Sequence, residues 1–256
     1  MSCLIVDDVT LRFGGLTAVD SVSFAVEPGE IFTMIGPNGA GKTSIFNMIS
    51  RFYQPSGGRI FFDDVEITQL PPYKIAELGI ARTFQNIELF DNATVLANLL
   101  VGRHRHRRTG VLEDILFLPK VRAAEYAGRL RVEEVIDFLD LQRYRDQLIA
   151  NLPYGVRKVC ELARALCTEP KILLLDEPSS GLNVEETDDM VYWINDIRSE
   201  LGITVLMVEH DMALVNRVSD RVLALDYGRV VALGAPQDVA RDPNVIAAYL
   251  GPEGAV

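Results

Sequence analysis

Gly36-Pro37-Asn38-Gly39-Ala40-Gly41-Lys42-Thr43, with Ser44 after it, joins the apolar run Ile31 to Ile35 to a helical pattern that begins KTSIFNMIS. The spacing is GxxxxGK[ST], a P-loop set between a strand and a helix. Glycines let the backbone curl until successive N–H groups point at phosphate oxygens. The helix start adds the positive end of its dipole. Lys42 then reaches the β and γ phosphates, and the Thr43 hydroxyl ligates Mg²⁺. A glycine turn that binds nothing is the competing reading, and the strand–loop–helix setting argues against it.

Around this loop the chain reads as alternating elements. LIVDDVTLRF and VDSVSFAVEPGEIFTMIG show period-2 alternation, broken by Gly14-Gly15 and Pro28-Gly29. A strand pair surrounds Gly57-Gly58, and PPYKIAELG reads as a short helix with prolines at its start. From Asn86 to Ala150 the period turns helical, in VLANLLVGR, ILFLPKVRAAEYAGRLRVEEVIDFLDL and RYRDQLI. Helix and strand patterns then alternate again from VRKVCELARALC to ALVNRVSD, before a strand pair, RVLALDYGRVVALG, and a short closing helix. Alternation of this kind implies a mostly parallel sheet covered on both faces. The expected fold is α/β: a P-loop NTPase (RecA-like) sheet, an N-terminal antiparallel β subdomain and an inserted helical subdomain. The division expected is residues 1–85 and 157–240 for the core, 86–156 for the insert and 241–256 for a C-terminal helix and tail, all within one domain spanning 1–256.

A P-loop needs a carboxylate on a neighbouring strand. Lys171-Ile-Leu-Leu-Leu-Asp176-Glu177-Pro178 ends an apolar strand in two acids. Asp176 is placed to hold Mg²⁺, directly or through water, and Glu177 to polarise the attacking water as general base. His210 ends the apolar strand ITVLMVE. Ligand groups in open α/β sheets gather at the carboxyl ends of strands, so His210 is read as a γ-phosphate contact rather than a merely satisfied imidazole. Gln85, in ARTFQN, stands where the strands give way to the helical insert. An amide there can orient water and sense the insert, or serve as an ordinary loop residue.

The order of these motifs resembles the nucleotide-binding domain of ABC transporters, over essentially the whole chain. FGGLTAVDSVSF, ARTFQNIELF, NATVLANLLVGRH, DEPSSGLN, VEHDM and PNVIAAYLG resemble, more narrowly, the LivG-type ATP-binding subunit of branched-chain amino acid (hydrophobic amino acid uptake) importers. The resemblance implies ATP and Mg²⁺ as cofactors. It makes Phe13 the aromatic that stacks on adenine, and Gln85 the glutamine that faces both Mg²⁺ and the membrane partner. It also makes Ser180, Gly181, Leu182 and Asn183 the D-loop, and His210 the switch histidine. The implied partners are a second ABC ATPase subunit (a heterodimer, with a homodimer as the alternative), two permease subunits and a periplasmic or extracellular substrate-binding protein. The implied place is the cytoplasmic face of the inner (cell) membrane, peripherally bound. Related subunits serve importers for urea, amides or aromatic acids.

One motif departs from the family pattern. Where LSGGQ is expected facing the partner's ATP, the chain has Leu152-Pro153-Tyr154-Gly155-Val156. Pro153 suits a helix start but removes a serine hydroxyl. LivG-type chains commonly carry LPYGQ or LAYGQ, which makes Pro153 and Tyr154 ordinary for that group. Val156 in place of Gln is a further change that removes an amide. The helix N-terminus still offers N–H groups to an anion. The expectation is an asymmetric pair of sites in which only the partner's ATP is affected. Asn183 replaces the aspartate usual in a D-loop, though it suits LivG-type chains.

Composition agrees with this reading. The 256 residues are 48% hydrophobic and 24% charged, with a formal net charge of −11. That balance disfavours nucleic acid as a partner, because phosphate binding calls for a basic footprint. No apolar run approaches the ~18 residues of a membrane span. The N-terminal MSCLIVDDVT has neither a basic leader nor an apolar signal core, and the three cysteines lack CxxC spacing, so buried free thiols in the cytosol are expected. Arg103-His-Arg-His-Arg-Arg108 reads as a solvated basic loop, with lipid headgroups or nucleic acid as alternatives. A soluble ABC-type ATPase of translation or DNA repair would need a second ATPase domain or a coiled-coil insert. A P-loop kinase would not need the Gln85, signature and His210 set.

Overall fold

The computed structural model describes residues 3–106 and 119–250. In chain order the elements are β1 (Leu4–Phe13), β2 (Leu16–Val26), β3 (Ile31–Ile35), α1 (Lys42–Ile49), β4 (Gly57–Phe62), β5 (Val65–Glu66), α2 (Pro72–Leu78) and β6 (Ile80–Arg82). After them come α3 (Val95–Gly102), α4 (Pro119–Phe138) and α5 (Tyr154–Leu166). The chain continues with β7 (Ile172–Asp176), α6 (Val184–Ser199), β8 (Thr204–Val208), α7 (Met212–Val218), β9 (Arg221–Asp226), β10 (Arg229–Gly234), α8 (Pro236–Val239) and α9 (Pro243–Leu250). These elements divide into two compact units, one formed by residues up to Arg82 and from Lys171 onward, the other by Thr83–Pro170.

The first unit holds two sheets. One is antiparallel, in the order β2-β1-β4-β5. Its first strand keeps Leu4, Val6, Val9 and Leu11 all buried although the alternation slips by one residue between Val6 and Val9. The register shifts at that point and Asp8 takes φ 50, so a bulge restores the inward phase. The other sheet runs β10-β9-β3-β8-β7-β6, parallel throughout except for β10 at its edge. Strands β3, β7 and β8 are buried at every position, as unbroken apolar runs covered on both faces must be. A core of Val6, Phe24, Phe32, Phe46, Phe62 and Leu206 fills the space beneath them. The Phe24 and Phe32 rings stack at 5.3 Å, and each buried aromatic of this kind contributes about 2–3 kcal/mol.

The second unit is helical, with α5 packed on α3 and α4. Because α5 belongs to this packing, the unit runs over Thr83–Pro170, where an insert of residues 86–156 was expected. Asn98 of α3 is fully buried; it accepts from the Phe90 amide (2.8 Å) and donates to the Phe90 and Thr94 carbonyls. RYRDQLI, expected as a helix, instead meets two 3₁₀ turns, Gln142–Tyr144 at its start and Ile149–Asn151 at its end. The backbone there is diverted into a bridge between Thr94 and Leu148, with the Val95 amide donating to Gln147 and the Ile149 amide to Ala93. The basic run also differs from a solvated loop. Arg103 donates to the Cys167 carbonyl and pairs with Glu169 at 3.1 Å, while His106 hydrogen-bonds the Thr168 carbonyl. Arg107 and Arg108, the ILFL segment and the tail from Gly251 lie outside the described residues. Cys3, Cys160 and Cys167 are free and buried. Among the described residues no helix is long and apolar enough to cross a membrane.

Candidate functional site

The loop that follows β3 is shaped by its glycines and braced from outside. Gly36 has φ 148, and a Cβ there would lie 2.2 Å from the Leu225 carbonyl oxygen, so only glycine fits. The Ala40 amide donates to Pro37, and the Ala40 carbonyl accepts from Gly228 in the tight β9–β10 turn. Asn38 and Gly39 are exposed at the tip. Gly41 caps α1 without a side-chain hydrogen bond, and no acidic residue lies in the first turn. The leading amides of α1, those of Lys42, Thr43 and Ser44, therefore form an N-terminus suited to an anion. Lys42 is buried and donates from Nζ to the Gly36 (2.5 Å) and Pro37 (3.0 Å) carbonyls. Burial lowers its pKa, while the carboxylates of Glu177 and Asp176 act in the opposite direction.

Asp176 ends β7 and Glu177 follows it, with β8 standing between that strand and β3. The carboxylate is thus one strand removed from the P-loop strand, not adjacent to it, because β8 is inserted between them. His210 follows β8 and fills that gap, its Nδ1 3.9 Å from Glu177 Oε1. Its side chain is 58% exposed and that of Glu177 19%. The Glu177 backbone is left-handed at φ 49 and its amide donates to Val208 across to β8. A glutamate in this conformation is costly, and such strain concentrates at functional positions. The carboxyl ends of three consecutive parallel strands accordingly bring the loop, Asp176-Glu177 and His210 to one edge, as expected of a ligand crevice.

Asp176 has a companion that motif spacing did not single out. Arg82, at the end of β6, donates to Asp176 Oδ2 at 2.9 Å, both side chains being almost fully buried. The same guanidinium donates to Asn47 (2.7 Å) and Ser50 (2.9 Å) and lies over the rings of Phe46 and Phe52. The available signal was an arginine inside the short apolar stretch GIAR, where a buried cation needs an acid. The Thr43 hydroxyl and the Asp176 carboxylate are hard oxygen donors. Among the described residues no three His, Cys, Asp or Glu gather into a metal cage. That donor set fits Mg²⁺, which is usually held by one or two protein oxygens together with substrate phosphates.

Phe13 closes β1 and is 46% exposed, its ring meeting Tyr53 edge-on at 5.3 Å. Beyond Glu177, Ser180 donates its amide back to Glu177 and Gly181 turns at φ 79. Leu182 donates to Ser179, and Asn183 caps α6. The Asn183 side chain accepts from the Glu186 amide while Glu186 accepts from the Asn183 amide, a reciprocal capping box.

Two predicted groups belong to the helical unit. Gln85 is exposed, in a segment anchored to α5 on both sides: the Phe84 amide donates to Glu161 at 3.2 Å, and Arg164 donates to the Glu88 carbonyl at 2.5 Å. Glu161 is almost fully buried, and burial raises its pKa against the pull of the Phe84 amide and of the nearby Arg164 and Lys158 cations. Leu152 is buried, Pro153 sits at the cap of α5 with no side-chain hydrogen bond, and Tyr154, Gly155 and Val156 open the helix. Both Gln85 and the LPYGV turn are thus attached to one helix.

Comparison with known proteins places this geometry in a family. The ABC transporter profile matches residues 19–180, and one described as branched-chain amino acid ATP-binding cassette transporter matches residues 229–251. The chain is 44% identical over 96% of its length to the high-affinity branched-chain amino acid transport ATP-binding protein BraF of Pseudomonas aeruginosa, covering 96% of that protein. It is 41% identical to the corresponding protein LivG of Escherichia coli K12, with 97% of each chain covered. Among solved structures, the ADP conformation of MJ1267, an ATP-binding cassette of an ABC transporter, superposes with a TM-score of 0.86 at 31% identity, over 98% of this chain and 99% of that one.

Proposed function

The chain belongs to the ABC transporter family of ATPases, and from that premise we propose that it is the ATP-hydrolysing subunit of an importer for branched-chain or other hydrophobic amino acids. The observation that carries the reading is the gathering of Lys42, the loop amides, Asp176, Glu177 and His210 at one sheet edge. The loop N–H groups between Gly36 and Ser44 (Pro37 has none) and the Lys42 ammonium bind the phosphates, and Phe13 stacks on adenine. Thr43 and Asp176 would hold Mg²⁺. When bound, the ion neutralises charge developing on the transferred phosphoryl group. Glu177 takes the proton of the attacking water and His210 donates to the γ-phosphate.

The same reading makes the working unit a pair of cassettes with two permeases, supplied by a substrate-binding protein and seated at the cytoplasmic face of the cell membrane. Residues 152–156 face the ATP of a second ATPase subunit, and a heterodimer best accommodates their departure from LSGGQ. The site joining this P-loop to the partner's signature is then the competent one. Residues 180–183 lie at the cassette boundary.

Nucleotide binding by the purified chain with Mg²⁺, and turnover in the reconstituted transporter, test the proposal. Lys42→Ala is expected to cut turnover about 100-fold or more and to weaken ATP binding. Unchanged affinity would overturn the site. Glu177→Gln in the reconstituted heterodimer is expected to abolish hydrolysis, and untouched turnover would refute the asymmetric assignment. Uptake of labelled leucine, set against urea, amides and aromatic acids, separates the importer classes.

A further inference from the structure

Glu209 ends the apolar run of β8 and its side chain is completely buried. Each of its carboxylate oxygens accepts two hydrogen bonds. Oε1 receives the Ser179 amide at 2.9 Å and the Ser179 hydroxyl at 2.6 Å. Oε2 receives the His210 amide at 2.8 Å and the Asp211 amide at 3.2 Å. The two oxygens thus serve two different segments: the one that leaves Glu177 toward Asn183, and the one that carries His210. Glu209 is itself fixed by its amide, which donates to the Met34 carbonyl one residue before the end of β3.

We propose that Glu209 is a positioning residue for ATP hydrolysis, a buried clamp that holds the Ser179 segment and the His210 backbone as one body so that His210 and Glu177 keep a fixed separation. The inference rests on the assignment of His210 and Glu177 made above. Its physical basis is independent of that assignment. Hydrogen bonds to a buried carboxylate are short and strong, and they rigidify what they join. No neutral side chain of this length offers two acceptor oxygens. Gln would turn an N–H donor toward either Ser179 or the His210–Asp211 amides, so one segment would be released. A hydroxyl residue is too short to reach both. Because Ser179 leads into the D-loop, which lies at the proposed cassette boundary, the clamp would transmit movement of that loop to the switch histidine.

The test compares the parent with Glu209→Gln, His210→Ala and the double variant in the assembled transporter, and follows amide hydrogen exchange in each. Glu209→Gln is expected to lower kcat at least about tenfold with KM for ATP changed less than about twofold, because the P-loop is untouched. The double variant should turn over no more slowly than His210→Ala alone. Exchange at the amides of Ser179, His210 and Asp211 should quicken at least about tenfold. Ser179→Ala, which removes the hydroxyl bond and keeps the backbone bond, should give a smaller loss of kcat at the same KM, and it stands in if Glu209→Gln does not fold. Parental kcat in Glu209→Gln or in the stand-in, unchanged exchange, or a double variant slower than His210→Ala by the full Glu209→Gln factor would overturn the clamp. Should His210→Ala turn over at the parental rate, the histidine assignment fails instead, and the exchange of the three amides alone decides for or against the clamp.

Discussion

Arg82→Met removes the cation from a buried pair with Asp176 while keeping most of the packing between Phe46 and Phe52. Removing one partner of a buried pair costs about 3–5 kcal/mol, so a clear fall in the urea midpoint is expected. Arg59→Met removes a pair with Asp7 in which both side chains are about half exposed, and it should shift stability by less than about 1 kcal/mol. Equal losses from the two substitutions would refute the burial argument. Gly36→Ala forces a methyl group against the Leu225 carbonyl and should abolish nucleotide binding. Gly39→Ala meets nothing within 4 Å and carries only the left-handed penalty of about 1–2 kcal/mol. Nucleotide titration of the two variants separates a steric requirement from a conformational one. At this scale the places of the glycine loop and of the strand-end acids and histidine were legible, because motif spacing and apolar runs fix them locally. Arg82 and Glu209 were not, since each acts through a partner far away in sequence.

Helix α6 begins at a reciprocal cap, which gives Asn183 a structural task beside the D-loop role proposed for it. Asn183→Ala should cost about 1 kcal/mol, whereas Asn183→Asp should be neutral or slightly stabilising because a carboxylate suits a helix N-terminus. Denaturant unfolding of the two variants measures this, and a loss with aspartate as large as with alanine would refute the capping role. Elements with a sustained period, such as α5 and α6, or an unbroken apolar run, such as β3, β7 and β8, were readable from the chain. RYRDQLI was not, because its helical period is overridden by the backbone bridge from Leu148 to Thr94. The slip in β1 at Asp7–Asp8 was equally hidden, being set by pairing with β2 and β4.

Across the whole molecule, burial holds the three thiols protonated, pushing Cys3 up to about 11 and Cys160 and Cys167 to about 12 from an ordinary 9.0. The unfolded chain ionises first as pH rises. The stabilisation is therefore complete below about pH 9 and declines as pH climbs toward 11–12. For Cys3 alone the loss by pH 11 is on the order of 2 kcal/mol, and a Cys3→Ala variant should show a correspondingly flatter alkaline limb in denaturant midpoints. An unchanged limb would count against it. The sequence by itself determined the α/β class, the strand–loop–helix setting of the glycine motif and the strand-end positions of the acids and histidine, because local period and motif spacing are both written at short range. Only the tertiary structure decided the strand order that puts His210 between the loop and Glu177, the pairing of Arg82 with Asp176, and the four hydrogen bonds on Glu209. Those depend on which distant segments the sheet brings together, and no local pattern encodes that choice.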